Sequence, residues 1–272
     1  MSMLITAEEL HARLGDSASR TTVLDIRWRK DRPEGLPEYL AGHVPGAVFV
    51  DLDYELAQPD LPPEQGHHPL PDVGTFTETV RRWGLDDGDS VVVYDDLKNL
   101  SSARAWWLLR HAGFSDVRIL DGSLRAWTGS GFQLADGIEL PDPGNASVRF
   151  GAMPLLSMEE VENFSGTLID ARPADHHAQA HIPSAISAPA SGSLDEHGRF
   201  LTPEQLRQRY LELGVDPERP VTAYCLSGLH SAHTFAALRL AGFEACLFPG
   251  GFSQWSQHPE RPVAAGAVSG GD

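Results

Sequence analysis

The sequence predicts an α/β protein made of two copies of one domain, each a mostly parallel central sheet with helices on both faces. Three observations lead there. An ordered internal repeat runs the length of the chain, strands and helices alternate within each copy, and 272 residues suit two domains of ordinary size. Asp25-Ile26-Arg27 returns as Asp170-Ala171-Arg172, and His43-Val44-Pro45-Gly46-Ala47 as His181-Ile182-Pro183-Ser184-Ala185. Val91–Tyr94 matches Val221–Tyr224, Gly113-Phe114 matches Gly242-Phe243, and the segment ending at Trp127 matches the one ending at Trp255. The separations fall from 145 through 138, 130 and 129 to 128 without changing order, as a duplication with short insertions requires.

Element by element, the second copy starts with short apolar strands at Thr167–Asp170 and Ala185–Ala188. Thr202 as N-cap and Pro203 in the first turn open a helix that runs to about Leu213, before Gly214. Val221–Tyr224 is a strand, Ser231 to Leu240 a helix stopped by Gly242, Ala245–Phe248 a strand and Gly251–Ser256 a short helix. At the start of the chain, Met1 to Arg13 suggests an amphipathic helix. Domains are expected at 1–132 and 155–272, joined by a linker over 133–154 that is rich in Pro, Gly and Asp.

Composition narrows the function. With 21 basic and 38 acidic residues the formal charge is −17 and no basic cluster occurs, so neither nucleic acid nor an anionic membrane is an expected partner. No apolar run is long enough to span a bilayer, and the acidic start does not resemble a secretory signal. Two cysteines, Cys225 and Cys246, cannot form a disulfide scaffold, so the expected compartment is the cytoplasm. The 12 histidines lack metal-ligand spacing, and no metal or other cofactor is expected.

Cys225 carries the chemical signal. It lies just past the carboxyl end of a strand, in the loop Cys225-Leu226-Ser227-Gly228-Leu229-His230-Ser231 that feeds a helix. Such a loop, freed by Gly228, can turn backbone N–H groups inward, and the helix adds its positive end, so an anion is favoured there. The alternative is a buried, inert thiol, the role expected of Cys246 inside its apolar run. In the first copy Asp95 stands in the place of Cys225, which makes that domain catalytically silent. Arg27 and Arg172, two residues past Asp25 and Asp170, are expected to tie loops together, and Trp106, Trp107, Trp127 and Trp255 to pack in the core.

The strand-end Asp-x-Arg, the His-Ile-Pro-x-Ala element, the Tyr-Cys-x-x-Gly loop and the closing Gly-Gly-Phe-x-x-Trp resemble the rhodanese superfamily over about residues 4–262. The duplication, with cysteine only in the second copy, is similar to the tandem-domain thiosulfate and 3-mercaptopyruvate sulfurtransferases. The resemblance implies double displacement: Cys225 takes sulfur from a small anionic donor as a persulfide. A thiol, a thioredoxin-like protein or cyanide then removes it. The N–H groups from Leu226 to Ser231 would cradle the anion, with Leu226, Gly228, Leu229, His230 and Ser231 lining the substrate site.

Ser227, at the second place after the cysteine, matches the mercaptopyruvate branch. That branch implies a proton relay of Ser227 with His68 and Asp53; otherwise His67-His68 is a polar surface loop. The segment Pro173–Ala180 lacks the arginines with which both branches hold the donor. His176 and His177 are the nearest substitutes there, charged only when protonated. A phosphatase of this fold would need Cys-x5-Arg, but position 231 is Ser231. A persulfide carrier without turnover, or a rhodanese-like interaction protein, remains the rival function. A redox sensor is a weaker one, since Cys246 is expected to be buried.

Overall fold

The computed structural model describes residues 2–16, 20–31 and 34–266; Met1 and residues 267–272, the outer ends of the two expected domains, lie outside the described residues. The chain divides into two compact units. Unit 1 comprises Met1–Gln58, Leu70–Met153 and Glu196–Arg199; unit 2 comprises Pro59–Pro69, Pro154–Asp195 and Phe200–Asp272.

In unit 1 the order is β1 (Leu4–Ile5), α1 (Ala7–Leu14), β2 (Thr21–Asp25), α2 (Leu36–Ala41), β3 (Val48–Phe49) and α3 (Leu52–Glu55). Then come α4 (Val73–Arg82), β4 (Ser90–Tyr94), α5 (Leu100–His111), β5 (Asp116–Leu120) and α6 (Ser123–Gly129). All neighbouring strands are parallel, in the order β1-β5-β4-β2-β3. The start of the chain differs from the expected helix. Leu4 and Ile5 pair with Ile119 and Leu120 as an edge strand, and the helix begins only after Thr6. The reason is local: the Thr6 hydroxyl accepts from Glu9 N–H while the Glu9 carboxylate accepts from Thr6 N–H, a capping box that fixes the helix start.

Unit 2 follows with α7 (Met158–Glu162), β6 (Thr167–Asp170), α8 (Ala174–Gln179), β7 (Ile186–Ser187) and α9 (Pro203–Glu212). It ends with β8 (Val221–Tyr224), α10 (Leu229–Leu240), β9 (Ala245–Leu247) and α11 (Gly251–Trp255). Its parallel sheet has the order β7-β6-β8-β9. Every residue of β8 is buried, as are Val91–Tyr94 of β4, so helices cover both faces of each sheet. Trp106, Trp107, Trp127 and Trp255 are buried as well. Cys246 corrects an expectation: it is the partly exposed middle residue of β9, between buried Ala245 and Leu247, because successive strand residues face opposite sides.

Residues 133–153 do not run free. They form a rail along unit 1, with Ala135 bridged to His43, Gly144 N–H on Arg81 O (2.8 Å), Ala146 N–H on Leu85 O (3.0 Å) and Arg149 N–H on Ala112 O (3.1 Å). A Cβ on Gly144 would lie 2.0 Å from Leu85 O, so glycine is what allows that approach.

The repeated motifs make one knot in each unit. In unit 2 the Arg172 guanidinium donates to both Asp170 oxygens and to Ala180 O, while Tyr224 donates its hydroxyl to Asp170 and accepts from Ile182 N–H (3.1 Å). In unit 1 Arg27, Asp25, Tyr94 and Val44 N–H repeat the pattern. Tyr94 and Tyr224 are each the last residue before the site loop, so the knot fixes the strand end from which that loop departs.

Candidate active site

Cys225 leaves the end of β8 buried, at 2% exposure. Its Sγ accepts from Gly228 N–H at 3.1 Å and from the Ser231 hydroxyl at 3.5 Å. Gly228 is the cap of α10 and takes φ +95°, the left-handed region that glycine tolerates, which turns its N–H back to the sulfur. The first helical hydrogen bond runs from Ala232 N–H to Gly228 O (3.3 Å), so Leu229, His230 and Ser231 have N–H groups with no carbonyl to meet inside the helix. The positive end of the helix dipole favours a negative charge at this end of α10, next to the thiol that Gly228 N–H and the Ser231 hydroxyl reach.

The loop is stitched to α11. Phe252 N–H donates to Cys225 O (2.7 Å) and Ser253 N–H to Leu226 O (2.9 Å). Gly251 makes this approach possible: at φ +57°, an added Cβ would lie 2.5 Å from Cys225 O and 2.8 Å from Leu226 O. Gly251→Ala is therefore expected to lower stability by about 1–3 kcal/mol and turnover by about tenfold or more, because backbone atoms at the site must move. Melting temperature and steady-state rate, measured on one preparation, check both.

The segment Pro59–Pro69 belongs to the same unit as the loop. Its 3-10 turn Pro63–Gln65 packs on α11, and His67 N–H donates to the Ser253 hydroxyl at 3.0 Å. His68, half-buried, is thus next in sequence to a residue anchored on the serine that holds Leu226. Ser227 is half-buried in the loop. Asp53 lies in unit 1, in the first turn of α3, where it accepts from Trp28 Nε1 (3.0 Å). Sequence reasoning missed Gly251 as a contact glycine and Ser253 as an anchor. The repeat of Gly250-Gly251 ending at Trp255 was the available signal.

The histidines differ in use. His176 is exposed on α8. His177 is no cation for a donor: it is buried, stacks on His181 at 3.8 Å and contacts Ala185 O through Nε2 (2.9 Å). Burial, followed by the proximity of His176, pushes the His230 pKa down, so this half-buried imidazole is neutral at pH 7. Arg172 is committed to Asp170 and stacks on Phe252 at 4.2 Å. The charge that the loop offers an anion is therefore carried by dipoles.

Unit 1 has the same layout around Asp95, whose carbonyl accepts from Leu124 N–H (2.8 Å) as Cys225 O does from Phe252 N–H. A buried carboxylate replaces the thiol.

A buried thiol at a strand end, in a loop that opens a helix of a duplicated parallel-sheet domain, is the layout of a sulfur-handling enzyme. The family model described as "Rhodanese-like domain" matches residues 6–130 and 155–258, and the chain belongs to the rhodanese family. It is 40% identical to the "Putative thiosulfate sulfurtransferase SseB" of Mycobacterium tuberculosis, over 98% of each chain. It is 38% identical to the "Probable 3-mercaptopyruvate sulfurtransferase" of Pseudomonas aeruginosa, over 97% of this chain and 99% of that one. Among solved structures, the 3-mercaptopyruvate sulfurtransferase SseA of Escherichia coli matches with TM-score 0.83 at 28% identity, over 93% of this chain and 99% of that one. The protein is a tandem-domain sulfurtransferase.

Proposed function

We propose that Cys225 carries sulfur as a persulfide between a small anionic donor and a thiophilic acceptor. The observation behind this reading is the placement of Cys225 Sγ at the strand end, 3.1 Å from Gly228 N–H and below the first turn of α10. The thiolate attacks the outer sulfur of thiosulfate, the S–S bond breaks, and sulfite leaves with the electron pair. With 3-mercaptopyruvate the C–S bond breaks, and the proton on the donor sulfur ends on carbon as pyruvate forms. An acceptor nucleophile then takes the outer sulfur and returns the thiolate, so each half-reaction is one displacement. The N–H groups of Leu226, Gly228, Leu229, His230 and Ser231 and the Ser231 hydroxyl hold the charge. His176, exposed on a neighbouring helix of the same unit, meets the donor's anionic end.

The mercaptopyruvate reaction needs a proton moved, and Ser227 with His68 and Asp53 is the relay proposed for it. The half-buried position of Ser227 and the anchoring of His67 on Ser253 support the first two members. His68→Ala is expected to reduce mercaptopyruvate turnover by about 10²-fold while changing thiosulfate turnover far less. Equal losses on both donors refute the relay. The acceptor is a thiol or a thioredoxin-like protein, and the cytoplasm is the location that keeps Cys225 reduced. Among the described residues no helix is long and apolar enough to cross a membrane.

The test is steady-state thiocyanate formation from cyanide with each donor, alongside intact-mass measurement of the donor-treated chain. Turnover with a gain of one sulfur mass on Cys225 supports the reading. Turnover with no such gain on a quenched sample, and undiminished when Cys225 is replaced, overturns it.

A further inference from the structure

Unit 1 keeps the anion-holding loop in working form. Asp95 sits at the end of β4 with no exposed surface. Its Oδ1 accepts from Leu97 N–H (2.9 Å), Asn99 N–H (2.9 Å) and the Ser123 hydroxyl (2.8 Å). Its Oδ2 accepts from Ser101 N–H (2.9 Å), Ser102 N–H (3.0 Å) and the Ser102 hydroxyl (3.1 Å). Six donor contacts from two separate elements converge on one carboxylate, an arrangement that suits the acceptor-only ionised form, since a protonated carboxyl would turn its own O–H against one of them. Burial raises the Asp95 pKa above the ordinary carboxylate value, and the donors oppose that rise without cancelling it.

Two further facts fit a loop arranged around the Asp95 carboxylate. Asn99 Nδ2 and Ser101 Oγ, on two of the residues whose N–H groups hold the carboxylate, are fully buried and have no hydrogen-bond partner. Asn99 Oδ1 also lies 2.9 Å from the Ser123 hydroxyl that contacts the anion. In addition, Lys98, Asn99 and Ser123 take left-handed φ values of +58°, +65° and +61°. The corresponding turns of unit 2 use Gly228 and Gly251. Side chains resist that conformation, and the bonds to the carboxylate oppose its relaxation.

We infer that the Asp95 loop is a binding site for a small planar oxyanion of the carboxylate class, closed in the resting protein by Asp95 as its own tethered ligand. Removing that side chain beyond Cβ leaves a space the size of formate, ringed by the same six donors. The inference does not depend on the reaction at Cys225, because its readout is unfolding rather than turnover.

The experiment compares Asp95→Ala, Asp95→Asn and the unchanged protein by thermal melting in sodium formate and in sodium chloride of equal ionic strength. Asp95→Ala is expected to melt lower and to regain about 5 °C or more as formate saturates, with chloride inert. Asp95→Asn, whose amide turns N–H groups toward N–H groups, should melt lower with no recovery by formate. If Asp95→Ala does not fold alone, refolding in formate but not chloride is the expected rescue. A melting temperature unchanged by Asp95→Ala overturns the inference. So does an equal response to formate in the unchanged protein and in Asp95→Ala, or a failure to refold in both salts.

Discussion

Cys225→Ser is expected to reduce sulfur transfer with either donor by about 10⁴-fold or more and to leave no sulfur adduct on the chain. The argument is chemical before it is structural. A serine hydroxyl is mostly protonated at pH 7 and is a weak nucleophile toward sulfur, so the first displacement loses its attacking group. The oxygen is smaller than sulfur and fits the same place. It meets Gly228 N–H and the Ser231 hydroxyl as a hydrogen-bond acceptor. Stability should therefore change by less than about 1 kcal/mol. That separation makes the variant decisive: lost turnover with an unchanged melting curve places the chemistry on this atom. Residual activity above about one per cent of the unchanged protein would move the nucleophile elsewhere, although the family membership would stand.

Much of the fold was legible because two copies of one pattern are easier to read than one. The strands Thr167–Asp170 and Val221–Tyr224 occur at the expected residues, and the helix opened by Thr202 and Pro203 runs to Glu212. What escaped depends on contacts distant in sequence. Leu4 and Ile5 form a strand only because β5 offers them an edge. Residues 133–153 lack periodicity because they bond to carbonyls of Arg81, Leu85 and Ala112 rather than to one another. Cys246 is shorter of cover than its apolar neighbours suggest because β9 has an open face at its middle residue.

The site was legible at its centre and less so at its edges. Cys225 and Gly228 follow from a strand end, a loop and a helix start, all local features. The roles of Gly251 and Ser253 depend on α11 approaching the loop backbone, which no local pattern states. His177 resembled a candidate cation in the sequence, yet its ring is buried against His181. His176, one position earlier on the same short helix, is exposed, so the helical phase separates the two neighbours.

Arg27→Met is expected to be the most damaging substitution outside the thiol, and its cost should depend on pH. Arg27 is buried and donates to both oxygens of Asp25, and also to Glu38 O (2.7 Å) and Gly42 O (2.6 Å). Burial raises the Asp25 pKa to about 6, against the opposing pull of Arg27 first and Tyr94 second. Because the folded value is raised above the unfolded one of about 3.9, the Asp25 contribution is fully present below that lower value. It is lost as pH rises through about 6, where the buried carboxyl must ionise. The guanidinium limits that loss by attracting the ionised form. Without it, ionisation at pH 8 leaves a carboxylate buried and unpaired, at about 3–5 kcal/mol. At pH 5 the carboxyl is mostly protonated, and the variant loses chiefly the two carbonyl contacts, about 1–2 kcal/mol. Urea unfolding of both proteins at pH 5 and pH 8 should therefore show a difference that widens with pH. An equal difference at the two pH values would mean that Arg27 acts by packing and carbonyl bonding alone. The Asp170–Arg172 pair repeats this arrangement in unit 2, where Tyr224 leads directly into Cys225, so there the knot also fixes the departure point of the active loop.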